Sequence, residues 1–187
     1  MEVRQHWRIF QQSGGGVTCS GGEALAQPDF LLELLKALHD EIGLHTFLDT
    51  CGMAPWKTLE QMLPYVDLVL LDIKHMDSEM HKIGAGAGNE TILSNARALA
   101  QRKISVLARM PLIPEFNDTD ENLHAVGAFL KKNGLTEAEI MPYHVLGISK
   151  YMALDKEYIG HTNILPRIDE AAAILKNYGL SVEVHLN

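Results

Sequence analysis

Short apolar runs alternate with longer stretches of helical periodicity along almost the whole chain. The run from Leu68 to Leu71 is short and unbroken, which is typical of a strand buried on both faces. Between Pro28 and Gly43, by contrast, apolar residues recur every three or four positions, as on one face of an amphipathic helix. The repeated alternation predicts βαβ units whose strands form a parallel sheet.

The pattern predicts six strands and six helices. The predicted strands cover residues 17–20, 44–48, 68–71, 104–108, 139–143 and 181–186. The predicted helices cover residues 2–12, 28–42, 56–63, 91–102, 119–133 and 166–178. Gly43 is placed to end the second helix, and Asp118 or Thr119 to cap the fifth. These 187 residues hold five or six βα units, whereas a full eight-unit barrel takes about 250 residues. We therefore predict one α/β domain, residues 1–187, with an open or partial barrel.

One glycine-rich stretch falls outside this rhythm. Residues 84–88, GAGAG, superficially resemble a dinucleotide-binding turn. They follow His81-Lys82-Ile83 instead of an apolar strand, so the strand-turn-helix setting of such a site is missing. We predict a flexible loop here.

Composition and charge narrow the functional classes. The chain is 47% hydrophobic and can bury one sizeable core. Its 16 Lys and Arg against 24 Asp and Glu give a formal net charge of -8, which disfavours a nucleic acid partner. No stretch approaches the roughly 20 apolar residues of a membrane span. Two cysteines are too few for a disulfide scaffold and favour a reducing compartment, so we expect a cytoplasmic protein.

Polar side chains of catalytic types follow nearly every predicted strand. They are Glu23, Asp49, Thr50, Asp72, Lys74, Arg109 and His144. The carboxyl ends of parallel strands in an α/β barrel surround one opening, so we expect these side chains to converge on a single cleft. Any one of these side chains could be an ordinary solvated residue at the end of a strand. Their recurrence on consecutive strands favours a shared ligand.

The mixed charges of this set indicate the kind of ligand. Acids accept hydrogen bonds from an ammonium group and Lys or Arg pairs with a carboxylate, so the set suits a zwitterion. The same acids suit a hard cation. Gly21 and Gly22 allow a close approach of the backbone to a ligand. An alternative is a partial-barrel enzyme in which Asp49, Asp72 and His144 surround a divalent cation for aldolase-like or hydrolytic chemistry.

Four segments of the chain resemble the motifs of one enzyme family. Residues 15–27, GGVTCSGGEALAQ, resemble the family segment GGVTxSGGEPLLQ, with alanine where relatives often have Pro and Leu. Residues 48–52 (LDTCG), 67–74 (DLVLLDIK) and 141–147 (MPYHVLG) resemble its segments LDTxG, DLVLLDIK and LPYHxLG. The order and spacing identify the chain as similar to the pyruvate formate-lyase activating enzymes, which are radical S-adenosylmethionine activases of glycyl radical enzymes.

The resemblance implies a fold and a ligand site. The fold is a partial TIM-like (β/α) barrel of the radical S-adenosylmethionine type, with the cosubstrate bound at the carboxyl ends of the strands. In the family the GGE segment receives the methionine ammonium, which implies that role for Gly21, Gly22 and Glu23. Further contacts to the cosubstrate are implied for Lys74, Arg109 and His144. A monovalent cation near the methionine carboxylate is implied for Asp49, Thr50 and Asp72.

The resemblance also implies a reaction and its partners. In the family a [4Fe-4S] cluster, reduced by a flavodoxin or a ferredoxin-type donor, cleaves S-adenosylmethionine to methionine and a 5'-deoxyadenosyl radical. The radical takes a hydrogen atom from one glycine of a large glycyl radical enzyme.

The cluster ligands of that family are missing from this sequence. They are three thiolates from a Cys-x3-Cys-x2-Cys loop, whereas only Cys19 and Cys51 occur here, on different strands. We therefore expect an N-terminally truncated chain that lacks the first strand and the cluster loop and is inactive alone. Its unpaired sheet edge predicts self-association. A short paralogue that binds S-adenosylmethionine without turnover is the open alternative.

Overall fold

The structure is a computed structural model that describes residues 2–143, 152–155 and 166–185. The helices are α1 Glu2–Ser13, α2 Pro28–Lys36, α3 Trp56–Met62, α4 Ser78–Ala85, α5 Glu90–Gln101, α6 Asp120–Asn133 and α7 Ile168–Lys176. The strands are β1 Gly16–Cys19, β2 His45–Thr50, β3 Leu68–Asp72, β4 Val106–Leu112, β5 Glu137–Pro142 and β6 Ser181–Val184. Short 3₁₀ segments cover Ala24–Ala26 and Leu63–Tyr65, and a π-helical segment, Ala37–Ile42, extends α2.

The six strands form a single parallel sheet in the order β1-β2-β3-β4-β5-β6. Each strand pairs with the next one along the chain, and one or more helices make each crossover, as parallel pairing requires. Within the described residues β1 and β6 do not pair with each other, so the sheet is open. The predicted α/β fold with a partial barrel is confirmed.

One face of the sheet is buried under the helices. Leu48, Val69 and Ile140 on three strands are 0% exposed, and they join one hydrophobic cluster with helical residues such as Leu35 and Leu130. Burial of this apolar face contributes most of the folding free energy, at about 25 cal/mol for each Å² removed from water.

The opposite face of the sheet carries charged side chains. Successive residues of a strand point to opposite faces, so Asp49, Arg109 and Glu139 lie on the face away from the apolar core. Arg109 is level with Asp72 on β3 and with Glu139 on β5. The register therefore places acids and bases side by side on neighbouring strands.

Two predicted helix boundaries match the structure. Gly43 has φ 73° and follows the π-helical end of the second helix, where a residue with a side chain would be strained. Thr119 caps α6 by accepting a hydrogen bond from the Asn122 backbone N–H at 3.3 Å. No helix in the described ranges combines the length and the apolar character needed to cross a lipid bilayer.

The glycine-rich stretch departs from the prediction. Gly84 and Ala85 form the last residues of α4, a helix that the sequence pattern did not indicate, and Gly86 ends it with φ 82°. A Cβ atom at Gly84 would collide with the Phe116 ring, so this glycine allows the helix to pack closely against that ring. Within the stretch 84–88, only residues 86–88 are non-helical.

Candidate ligand-binding site

The Glu23 carboxylate joins the loop after β1 to the end of β2. Its Oε1 accepts hydrogen bonds from the Thr50 hydroxyl at 2.6 Å and the Leu25 backbone N–H at 3.0 Å. Its Oε2 accepts one from the Cys51 backbone N–H at 2.9 Å. Burial raises the pKa of the Glu23 carboxyl, but these hydrogen bonds outweigh burial and leave the pKa below its ordinary value. Glu23 is therefore an anion, and since a carboxylate has about four acceptor positions, one is left for a ligand.

Asp49 and Arg109 form an ion pair across the charged face of the sheet. Arg109 Nη1 lies 2.9 Å from Asp49 Oδ1, and the Ser20 hydroxyl donates to Asp49 Oδ2 at 2.9 Å. The guanidinium also donates through Nε to Glu139 Oε2 at 3.0 Å and contacts Met141 Sδ. The side chains of Asp49, Arg109 and Glu139 are all 25% exposed or less, so water screens these pairs only in part.

Asp72 has one oxygen with a partner and one without, as far as the described part of the chain shows. Its Oδ2 accepts from Lys74 Nζ at 3.0 Å. Its Oδ1 is buried and has no hydrogen-bond partner among the described residues. A buried polar atom of this kind costs free energy unless a ligand or an ion satisfies it.

These groups surround a small polar cavity at the carboxyl edge of the sheet. Its volume is about 130 Å³. The lining residues are Ser20, Gly21, Gly22, Glu23, Asp49, Thr50, Cys51, Asp72 and Lys74. Gly21 has φ 143°, and a Cβ atom at Gly21 or Gly22 would meet no protein atom, so the space beside these glycines is open to a ligand.

Most of the residues expected at one cleft are thus found together. Seven of them line the cavity: Gly21, Gly22, Glu23, Asp49, Thr50, Asp72 and Lys74. Arg109 is absent from the lining but is paired with Asp49, which does line it. His144 lies outside the described residues.

Thr50 lies on the opposite side of β2 from Asp49. It is 3% exposed and lies on the helix-covered side of β2. Its hydroxyl donates to Glu23 and accepts from the Gly52 backbone N–H at 2.9 Å, which leaves one lone pair on the oxygen. Thr50 therefore holds the Glu23 carboxylate in place and retains limited capacity to bind a cation.

Sequence reasoning missed Glu139 and Asn117. Glu139 is placed by the β4–β5 register directly beside Arg109. Glu139 lies two residues before Met141, the first residue of the MPYHVLG motif, and residues two apart on a strand point to the same face. This spacing was the signal in the sequence that could have indicated Glu139. Asn117 belongs to none of the sequence motifs, and it is fully buried.

The divalent-cation alternative names Asp49, Asp72 and His144 as its residues. The described residues contain no group of three or more His, Cys, Asp or Glu side chains that could hold a metal ion. Asp49 is paired with Arg109, and Asp72 with Lys74. His144, the third residue of that set, lies outside the described residues, so the hydrolytic or aldolase-like alternative stays a prediction.

The two cysteines do not fit an iron-sulfur cluster. Cys19 is 7% exposed and belongs to the hydrophobic core, and Cys51 lines the polar cavity. Burial raises the pKa of both thiols, and for Cys51 the contact with Glu23 adds to this effect. Two protonated thiols, one on β1 and one just after β2, cannot supply the three thiolates that such a cluster needs.

A larger cavity of about 450 Å³ lies apart from these groups, between α4 and α6. Met76, Met80 and Phe116 supply its apolar surface, and Asp77 and Glu121 are among its acids. Its described lining residues include no Lys or Arg, whereas the smaller cavity contains Lys74 beside its acids.

Comparison with known proteins places the chain in a family. Residues 2–125 match the family model described as the radical SAM superfamily. The isethionate sulfite-lyase activating enzyme of Nitratidesulfovibrio vulgaris is 41% identical over 157 residues, which are 83% of this chain and 50% of that protein. The pyruvate formate-lyase-activating enzyme of Clostridium pasteurianum is 40% identical over 150 residues, 80% of this chain and 62% of that protein. The chain thus spans roughly half the length of the curated relatives that it matches.

A solved structure agrees in fold and sequence. A crystallised domain of the pyruvate-formate lyase-activating enzyme from Bacteroides vulgatus superposes with a TM-score of 0.75 at 30% identity. The match covers 92% of this chain and 99% of that domain. The chain therefore belongs to the radical SAM superfamily, among the activating enzymes of glycyl radical enzymes.

Proposed function

We propose that these residues are the S-adenosylmethionine-binding part of an activase that generates a glycyl radical on a partner enzyme. The observation that carries the proposal is the polar cavity, where Glu23, Lys74 and the unsatisfied Oδ1 of Asp72 line one space. The methionine portion of S-adenosylmethionine carries one ammonium and one carboxylate. A cavity of mixed sign at the carboxyl edge of a parallel sheet suits that headgroup.

The ammonium would be bound on the β1 side of the cavity. Gly21 and Gly22 leave open space there, and Glu23 retains one acceptor position beyond its three hydrogen bonds. Because Thr50 and the Cys51 backbone fix this carboxylate, it needs little reorganisation to receive an ammonium group.

The remaining contacts would come from Lys74, Arg109 and His144. Lys74 lines the cavity and carries the charge that a methionine carboxylate needs. Arg109 is held by Asp49 and Glu139, so it acts at the side of the cavity and neutralises Asp49. His144 is assigned a contact only because it lies in the motif MPYHVLG, residues 141–147.

A monovalent cation would be held by Asp49, Thr50 and Asp72. The Asp72 Oδ1 supplies an unused carboxylate oxygen, and the Thr50 hydroxyl retains a lone pair. Hard cations bind such oxygen atoms. A cation at this place would also satisfy the buried Asp72 oxygen.

The wider reaction follows from the family. S-adenosylmethionine would supply the radical chemistry only beside a reduced cluster, whose three thiolates this sequence does not contain, and a glycyl radical enzyme would be the protein substrate. A flavodoxin or ferredoxin-type protein would donate the electron. Two free cysteines suit the reducing cytoplasm as the compartment.

Titration calorimetry of the chain with S-adenosylmethionine in potassium buffer tests the proposal. We expect binding that Lys74→Met and Glu23→Gln each weaken by about tenfold or more, because each removes a charge-assisted contact. Lys131→Met, which removes an exposed charge on α6, is the matched control. The proposal fails if no binding occurs at millimolar S-adenosylmethionine, or if free methionine does not compete.

A second candidate is a paralogue that binds S-adenosylmethionine without turnover. The observation in its favour is an intact cavity in a sequence without three cluster thiolates. Genomic DNA upstream of the first codon distinguishes the two. In-frame codons for Cys-x3-Cys-x2-Cys support the activase, whereas a ribosome-binding site directly before Met1 supports the paralogue.

A further inference from the structure

We propose that Asn117 is a positioning residue that sets Lys74 at the ligand cavity. The inference rests on the proposed function, in which Lys74 contacts S-adenosylmethionine. Asn117 itself does not line the cavity. Asn117 lies in the loop between β4 and α6. It contacts the loop between β3 and α4, which contains Lys74.

Asn117 is fully buried and uses its side chain to join three backbone groups. Its Nδ2 donates to the Lys74 carbonyl at 2.8 Å and to the Pro111 carbonyl at 2.7 Å. Its Oδ1 accepts from the Ile113 backbone N–H at 2.7 Å. Both amide hydrogens are therefore used, and one of them holds the backbone of the cavity lysine.

Asn122 extends this connection. Its Oδ1 accepts from the Met76 backbone N–H at 2.9 Å, and its Nδ2 donates to the Asn117 carbonyl at 2.9 Å. It is 3% exposed. Asn117 and Asn122 together form an asparagine clamp that fixes two residues of the β3–α4 loop, Lys74 and Met76.

The sheet alone does not fix Lys74. The backbone pairing of β3 with β4 continues to Ile73, whose N–H donates to the Arg109 carbonyl at 2.8 Å. Lys74 is the next residue, and its flexible side chain pairs with Asp72 among the described residues. Asp72 thus holds the ammonium end of the side chain, while the hydrogen bond from Asn117 holds the backbone from which the side chain extends.

A positioning role and a purely structural role make different predictions. If Asn117 only stabilises the fold, its loss lowers the free energy of unfolding and leaves the affinity of the folded protein unchanged. If it acts through Lys74, its loss weakens binding only while Lys74 can make its contact. Residues that act through one another give non-additive effects in a double-mutant cycle.

The experiment is a double-mutant cycle in S-adenosylmethionine affinity, measured by calorimetry. The variants are Asn117→Ala, Lys74→Met and the combination, with Leu130→Ala as a control. We expect Asn117→Ala to weaken binding about tenfold and the double variant to bind within about twofold of Lys74→Met. Leu130→Ala removes a fully buried side chain from the core and should lower stability without changing affinity.

Asn117→Ser, a milder change, enters the same cycle if Asn117→Ala does not fold. Unaltered affinity in the Asn117 variant, or fully additive losses with Lys74→Met, would overturn the inference and leave the proposed function standing. Absence of binding by the unaltered chain would overturn both.

Hydrogen exchange of the unaltered chain gives a further measurement. The Ile113 and Met76 amides donate to the asparagine clamp, so we expect both to be protected although they lie outside helices and strands. Exchange at unprotected rates would show an open clamp and overturn the inference.

Discussion

Arg109 on β4 reaches past β3 to pair with Asp49 on β2, with 2.9 Å between Nη1 and Oδ1. The intervening strand contributes Leu70 level with Asp49 and Asp72 level with Arg109. A single guanidinium thus links β2 with β5, where Glu139 accepts its Nε–H. This pairing keeps Asp49 neutralised beside a cavity that already holds Glu23 and Asp72.

Replacing Arg109 by Met should destabilise the protein by about 1–3 kcal/mol, because two partly buried carboxylates lose their partner. Adding Glu139→Gln should recover part of that loss by removing one of the two charges. Urea unfolding of the single and double variants measures both effects.

The control for Arg109 is Arg102→Met. Arg102 pairs with Glu60 at 2.7 Å and lies over the Trp56 ring, 4.5 Å from its centroid. Both side chains of the pair are 45% exposed, so the loss of both contacts should cost about 1 kcal/mol, less than the loss of Arg109. Equal losses of unfolding free energy for Arg102→Met and Arg109→Met would show that the ion pairs on the charged face of the sheet stabilise the protein no more than an exposed pair does.

Glu23→Gln should remove a pH-dependent part of the stability. The folded pKa of Glu23 lies below the ordinary value of 4.5, so its stabilisation is present above that value and is lost as the pH falls through the folded pKa. The difference in unfolding free energy between the unaltered chain and Glu23→Gln should therefore be largest near pH 7 and shrink below about pH 4.5.

Glu137→Gln is the matched control for Glu23. Glu137 is an exposed glutamate at the amino end of β5, whereas Glu23 lies at the carboxyl edge of the sheet. Thermal unfolding from pH 3 to pH 7 compares the two substitutions. A difference for Glu23→Gln that stays constant across this range would contradict the role of its hydrogen bonds.

The positions of the site residues along the strands could be predicted from the sequence, but their pairings could not. Glu23, Asp49 and Asp72 each follow an apolar run, and a parallel sheet brings the ends of such runs to one edge. The partner of Arg109 depends on its side-chain conformation and on the β4–β5 register. β4 also continues through Met110 and Pro111 to Leu112, beyond the predicted end at residue 108.

The missed helix α4 has a similar physical explanation. Residues 78–85 contain few large apolar side chains and end in glycine and alanine, so helical periodicity is weak. Its position depends on tertiary contacts that no local pattern contains. His81 is buried and its Nδ1 lies 2.6 Å from the Ala87 carbonyl, and the Asp77 side chain caps the first turn.

Asp72→Asn should separate ligand binding from stability. The substitution removes a buried carboxylate oxygen that has no partner among the described residues, but it also removes the charge that pairs with Lys74. These effects oppose each other, so the unfolding free energy should change by less than about 1 kcal/mol. The same change should abolish any rise in melting temperature when potassium chloride and S-adenosylmethionine replace choline chloride. Asp169→Asn, at an exposed position on α7, should retain that rise.

Thr18→Lys should reduce self-association through the edge of the sheet. Within the described residues, β1 pairs only with β2, which leaves its other side available to a strand of a second molecule. Thr18 is exposed on this strand, and a lysine there opposes edge-to-edge pairing through charge repulsion. Sedimentation velocity at increasing concentration should show a larger monomer fraction for Thr18→Lys than for Thr91→Lys, which adds the same charge on the exposed surface of α5. An unaltered chain that sediments as a monomer throughout would contradict the expectation, because no association would then exist for the edge to mediate.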